Sequence, residues 1–171
     1  MISHSSCWNL THGEGVLTLV KRKREHKNLP SLVQDLNSLA TYVRRTAIIE
    51  LAGRRSKDSS PHLQALLLDK EASIRACAAW ALGELADPGS ALGLAALLKD
   101  KDVEVRRSAA RSLAQICSPA SSKALEEARS DSDLWVAEWA GRALARLGNL
   151  PAARKRRRQE MVAFAPLELK P

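Results

Sequence analysis

The chain has 171 residues, and 45% of them are apolar but only 4% aromatic, so its core must rest on Ala and Leu, which favour helices over strands. The formal charge is +8, from 27 Lys+Arg against 19 Asp+Glu, which points to an acidic partner. The three cysteines (Cys7, Cys77 and Cys117) match no disulfide framework, and no apolar run approaches the ~18 residues of a membrane span, so a cytoplasmic protein is expected.

Residues 1–28 show no convincing period and read as a flexible extension that ends in the basic run "KRKREHK". His4, Cys7 and His12 lie there in a polar segment expected to be mobile, so no metal ligand is assigned.

From residue 29 onward the chain repeats at a step of 31. Val43, Ile74, Val105 and Val136 form one column; Ala47, Ala78, Ala109 and Ala140 a second. Leu51, Leu82, Leu113 and Leu144 form a third, and Leu32, Leu63, Leu94 and Leu125 a fourth, with no insertion or deletion. Four units are predicted, at 29–59, 60–90, 91–121 and 122–149.

Each unit contains two helical segments. The first is short, as in "PHLQALLL" (Pro61 to Leu68), where Leu63, Leu66 and Leu67 have helical spacing. Pro30 and Pro61 share a column and suit a first helical turn. The second is longer: Ile74, Ala78, Ala81, Leu82 and Leu85 describe an amphipathic helix. Asp102 and Asp133 stand where it begins and can cap it, while Pro88 and Pro119 stop it. Cys77 and Cys117 fall in these apolar patterns and read as small core residues. Such a hairpin cannot bury its apolar faces alone, but stacking does so. The expected fold is all-α, a right-handed α-solenoid of about four hairpins spanning 29–149. Residues 150–171 carry "RKRRR" (Arg154 to Arg158) and read as a basic tail.

The phrases "DKEASIRACAAWALGELADP" (Asp69 to Pro88) and "DKDVEVRRSAARSLAQICSP" (Asp100 to Pro119) resemble HEAT repeats, in particular the short class found in phycobilisome bilin lyases. The resemblance implies second helices that line a concave surface, and it says little of function. Deoxyhypusine hydroxylases share this fold and need paired His-Glu motifs for iron; this chain has no His-Glu dipeptide. With no nucleophile elbow, P-loop or HExxH motif either, no catalytic or cofactor-binding residue is assigned.

Two rows of charge stand out. Arg44, Arg75 and Arg106 follow the Val/Ile column, and Asp69, Asp100 and Asp131 lie at the turns between helices. Left open, the arginines would bind anions. Paired with the aspartates, they would form a structural ladder fixing the stacking register, which the resemblance implies. The fourth unit has Ala137 in place of Arg. On the outward side of the second helices, the expected concave face carries Arg45, Trp80, Ile49, Arg107, Arg111, Arg142 and Arg146. Arg and Trp in one groove suit a binding face. Trp135 and Trp139 on the last helix either cover the open end of the core or form a partner or dimer contact.

The expectation is a non-catalytic scaffold that binds an acidic protein or peptide on the concave face. Two alternatives stand beside it: an accessory subunit of a bilin-lyase-like enzyme, and a nucleic-acid-binding module resembling HEAT-like DNA glycosylases.

Overall fold

The computed structural model describes residues 28–55 and 57–148. The extension at 1–28, all but its last residue, the tail at 150–171, both basic runs and His4, Cys7 and His12 lie outside the described residues.

The described chain is a stack of four helical hairpins. They are α1 (Leu29–Leu36) with α2 (Thr41–Gly53), α3 (Ser60–Ala65) with α4 (Ala72–Leu85), α5 (Ala91–Ala96) with α6 (Val103–Ile116), and α7 (Ser122–Ala128) with α8 (Leu134–Gly148). No strand occurs among the described residues. Short 3₁₀ turns lead into α3, α5 and α7 at Lys57–Ser59, Pro88–Ser90 and Pro119–Ser121.

Local chemistry sets the helix ends. Asn28 Oδ1 accepts from the Ser31 amide at 3.0 Å, with Pro30 in the first turn of α1. Asp102 Oδ1 accepts from the amides of Glu104 (2.9 Å) and Val105 (3.3 Å), and Asp133 Oδ1 from that of Val136 (3.1 Å). The long helices end in left-handed residues rather than at the prolines: Arg55, Ala86 and Cys117 have φ of 51°, 49° and 55°. Cys117 therefore stands just past α6, half-buried, instead of inside a helical core; Cys77 is buried in α4.

The repeated columns build one continuous core. Ala47, Ala78, Ala109 and Ala140 are all buried, as are Leu32, Leu63, Leu94 and Leu125. Ile74, Val105 and Val136 are buried while Val43 is half-covered, and Leu51, Leu82 and Leu113 are buried while Leu144 is half-covered. Both exceptions lie in terminal hairpins, which have a neighbour on one side only.

Close stacking of the second helices dominates. α2, α4, α6 and α8 lie side by side, whereas successive first helices touch little. The alanine column permits this approach, and Gly83 extends it: a Cβ there would lie 2.6 Å from Gln115 Oε1 and 2.7 Å from Ser112 Cβ on α6. Ser112 Oγ in turn donates to the Ala79 carbonyl at 2.8 Å. The second helices thus form the tightly packed layer of the array, the side expected to be the inner one, and the first helices the looser layer. α4 departs from a simple amphipathic stripe. Arg75, Cys77, Ala79 and Gly83 are buried in addition to its repeat columns, because α2 and α6 flank it on both sides.

Candidate protein-binding face

The two charge rows have different fates. Arg75 Nε and Nη2 donate to the two carboxylate oxygens of Asp100 at 2.7 and 2.9 Å, and its Nη1 donates to the Asp69 carbonyl at 2.8 Å. Arg106 repeats the pattern on Asp131 at 2.9 and 3.2 Å, with Nη1 on the Asp100 carbonyl at 3.0 Å. Each of these aspartates also accepts the amide two residues on: Glu71 on Asp69, Asp102 on Asp100, Asp133 on Asp131, at 2.8 to 2.9 Å. Arg44 makes the loosest rung. Its Nε lies 3.6 Å from Asp69 and its Nη2 3.2 Å from Glu71, while Nη1 donates to the Ser38 carbonyl at 2.7 Å. These side chains are largely buried, and the hydrogen bonds donated by Arg75 hold the Asp100 carboxyl below the usual carboxylate range. The row is thus occupied by the protein itself and is not an open anion ladder.

Arg107, expected on the partner face, is also closed. Its Nε and Nη2 meet the Asp133 carboxylate at 3.0 and 2.6 Å, and its Nη1 meets Glu104 at 2.7 Å. The Arg107 hydrogen bond, with the Val136 amide also on that carboxylate, holds the Asp133 carboxyl down at about 2. Sequence reasoning gave Asp133 only its capping role. The signal that would have found the pair is a basic residue followed 26 positions later by an acidic one, a relation shared by Arg45 and Glu71.

What faces outward on the second helices is a central row: Ile49, Trp80, Arg111 and Arg142, one from each hairpin. Ile49 is 38% exposed, and Trp80 lies half-buried against the core. Arg111 is half-buried and has no ion-pair or hydrogen-bond partner among the described residues. Arg142 is exposed, bonded to Glu138 one turn away, and its guanidinium lies 4.9 Å from the centre of the Trp139 ring. Arg146 reaches back across the stack and donates to the Ala114 carbonyl at 2.6 Å. Arg45 is half-buried on α2 at the position equivalent to Arg107. Trp135 is 46% exposed at the open side of α8, and Trp139 is half-buried beneath Arg142.

Charge is distributed unevenly. Residues 28–148 carry 16 Lys+Arg against 15 Asp+Glu, a balance of +1, so +7 of the chain's +8 belongs to residues outside them. Among the described residues, no three His, Cys, Asp or Glu side chains are grouped to hold a metal ion, and no helix is long and apolar enough to cross a membrane.

Helical hairpins stacked through a shared core define an α-solenoid. Residues 29–94 and 91–156 match the family model for HEAT repeats, more than half of the chain, and the chain belongs to that family. Solved structures agree. An engineered protein is similar at 26% identity with a TM-score of 0.63, over 73% of this chain and 64% of the other. Human deoxyhypusine hydroxylase is similar at 24% identity with a TM-score of 0.64, over 74% of this chain and 45% of the enzyme. The complex of CpcE and CpcF of phycocyanin lyase from Nostoc sp. PCC7120 is similar at 18% identity with a TM-score of 0.58, over 84% of this chain and 74% of the other. The chain spans less than two thirds of the first two structures, and the likeness to the two enzymes is one of fold. No curated protein sequence matches it significantly.

Proposed function

We propose that this chain is a non-catalytic scaffold whose inner face binds an acidic protein segment. One observation carries the reading. Arg111 stands half-buried with no ion-pair or hydrogen-bond partner among the described residues, one repeat along from Trp80, whereas Arg75, Arg106 and Arg107 are closed by carboxylates. A guanidinium held partly out of water without a counter-ion gains most from an incoming carboxylate. Arg142 extends the positive strip, since its pair with Glu138 is exposed and exchanges at little cost. Trp80 offers an apolar anchor in the same row. The near-zero balance of the described residues favours a protein segment over a polyphosphate backbone, which many cations together would have to neutralise.

The test is titration of the 171-residue chain with a labelled acidic peptide, followed by fluorescence anisotropy at low and high salt. Binding by the wild type, lost in Arg111→Glu/Arg142→Glu with helical content intact, is the expected result. Unchanged binding in that variant sinks the assignment. Tighter binding to single-stranded nucleic acid than to the peptide, falling steeply with salt, assigns the face to phosphates instead.

A further inference from the structure

The central row is ordered, not merely mixed. From the first hairpin to the last it reads Ile49, Trp80, Arg111, Arg142, so its apolar half and its basic half are separate. The rows on either side are satisfied from within: Arg107 by Asp133 and Glu104, Gln115 Nε2 by Glu84 at 3.5 Å, Arg146 by the Ala114 carbonyl. The capacity to bind from outside is therefore concentrated in one line that crosses the second helices, with the change of character at the α4–α6 seam.

Neighbouring packed helices lie about 8–10 Å apart. A chain in the polyproline II conformation advances about 3.1 Å per residue with three residues per turn, so it covers one helix of the array with about three residues and returns to the same face each time. A peptide lying across the stack thus presents every third side chain to successive members of the row.

Taking the acidic-segment reading above as its basis, we propose that the ligand is an extended, polyproline II-like peptide with segregated character. Its apolar side chains lie over Ile49 and Trp80, and its carboxylates lie over Arg111 and Arg142, at a spacing of about three residues. Complementary charge selects one half of the peptide and apolar burial the other. A helical ligand would need about seven residues for the same step, because a helix advances only about 1.5 Å per residue, so the three-residue register belongs to the extended ligand alone.

Two labelled peptides of identical composition test this against the full chain. One carries Leu at positions 1 and 4 and Glu at positions 7 and 10, in a Gly/Ser background. The other interleaves them, with Leu at 1 and 7 and Glu at 4 and 10. The segregated peptide is expected to bind at least about tenfold tighter, because the other sets one carboxylate over the apolar half and one leucine over the basic half. Equal affinities, or a preference for the interleaved peptide, overturn the ordered row; if that binding still disappears in Arg111→Glu, the acidic-segment reading survives. Binding by neither peptide overturns both.

Discussion

Arg75 and Asp100 meet as a two-pronged pair across 25 residues of sequence, at 2.7 and 2.9 Å, with both side chains at or below 10% exposure. Because Arg75 also holds the Asp69 carbonyl, it ties its own turn to the next one. Arg75→Met leaves the Asp100 carboxylate buried without its counter-ion, and the loss expected is about 3 kcal/mol. Adding Asp100→Asn recovers much of this, since an asparagine retains the acceptor for the Asp102 amide. Arg44→Met, at the looser first rung, costs less. Urea denaturation of the three variants checks the order.

Asp133 carries two duties that substitution separates. Asparagine keeps the cap on the Val136 amide and weakens the pair with Arg107; alanine loses both. Asp133→Asn is expected to cost about 1 kcal/mol at neutral pH, and Asp133→Ala roughly twice that. The folded carboxyl titrates at about 2, below the ~3.9 of an unfolded aspartate, so its contribution is present above about pH 4 and lost as pH falls through 2. The stability gap between wild type and Asp133→Asn therefore narrows on acidification through that window. A gap that stays constant from pH 5 to pH 2 contradicts the assignment.

Ala86 closes α4 with φ of 49°, a conformation that costs an L-residue about 1 kcal/mol. The equivalent residue in the fourth hairpin is Gly148, the last residue of α8. Ala86→Gly is expected to stabilise the chain by about 0.5–1 kcal/mol, and because Ala86 is exposed no packing is lost. Thermal unfolding monitored by circular dichroism reads this directly.

The glycines at 83 and 141 predict opposite outcomes. Gly83→Val drives a branched side chain into Ser112 and Gln115 and is expected to cost about 2–3 kcal/mol. Gly141 lies inside α8 with nothing within 4 Å of a built Cβ, so Gly141→Ala is expected to gain up to about 1 kcal/mol from helix propensity. Chemical denaturation of the two single variants suffices.

Much of the fold was legible because stacking repeats its demands at a fixed step: the alanine column had to be small, and Leu63, Leu94 and Leu125 had to fill the same space three times. Two kinds of feature did not show. The left-handed closure at Ala86 and Cys117 leaves no trace in residue type, since neither is the glycine that conformation favours. Arg107 lay on the outward side of its helix, but its partner is supplied by the next hairpin's turn, which a single-helix projection omits. The outward row of the second helices was therefore legible as a surface, while the split between closed and open arginines needed the neighbouring repeat. That split also makes Arg107 a poor probe of binding, because reversing its charge opposes Asp133 and Glu104 within the fold.

The rail of arginines and aspartates is stopped at both ends. Ser38 occupies the first turn's aspartate position, and its Oγ still accepts from the Ala40 amide at 3.2 Å, so the turn survives without the charge. Ala137 occupies the last arginine position. A second copy laid end to end would find no half-finished ion pair to complete at either junction. The code that aligns hairpins inside the described stack is silent at its two outermost hairpins, so it specifies register between repeats without specifying it between copies.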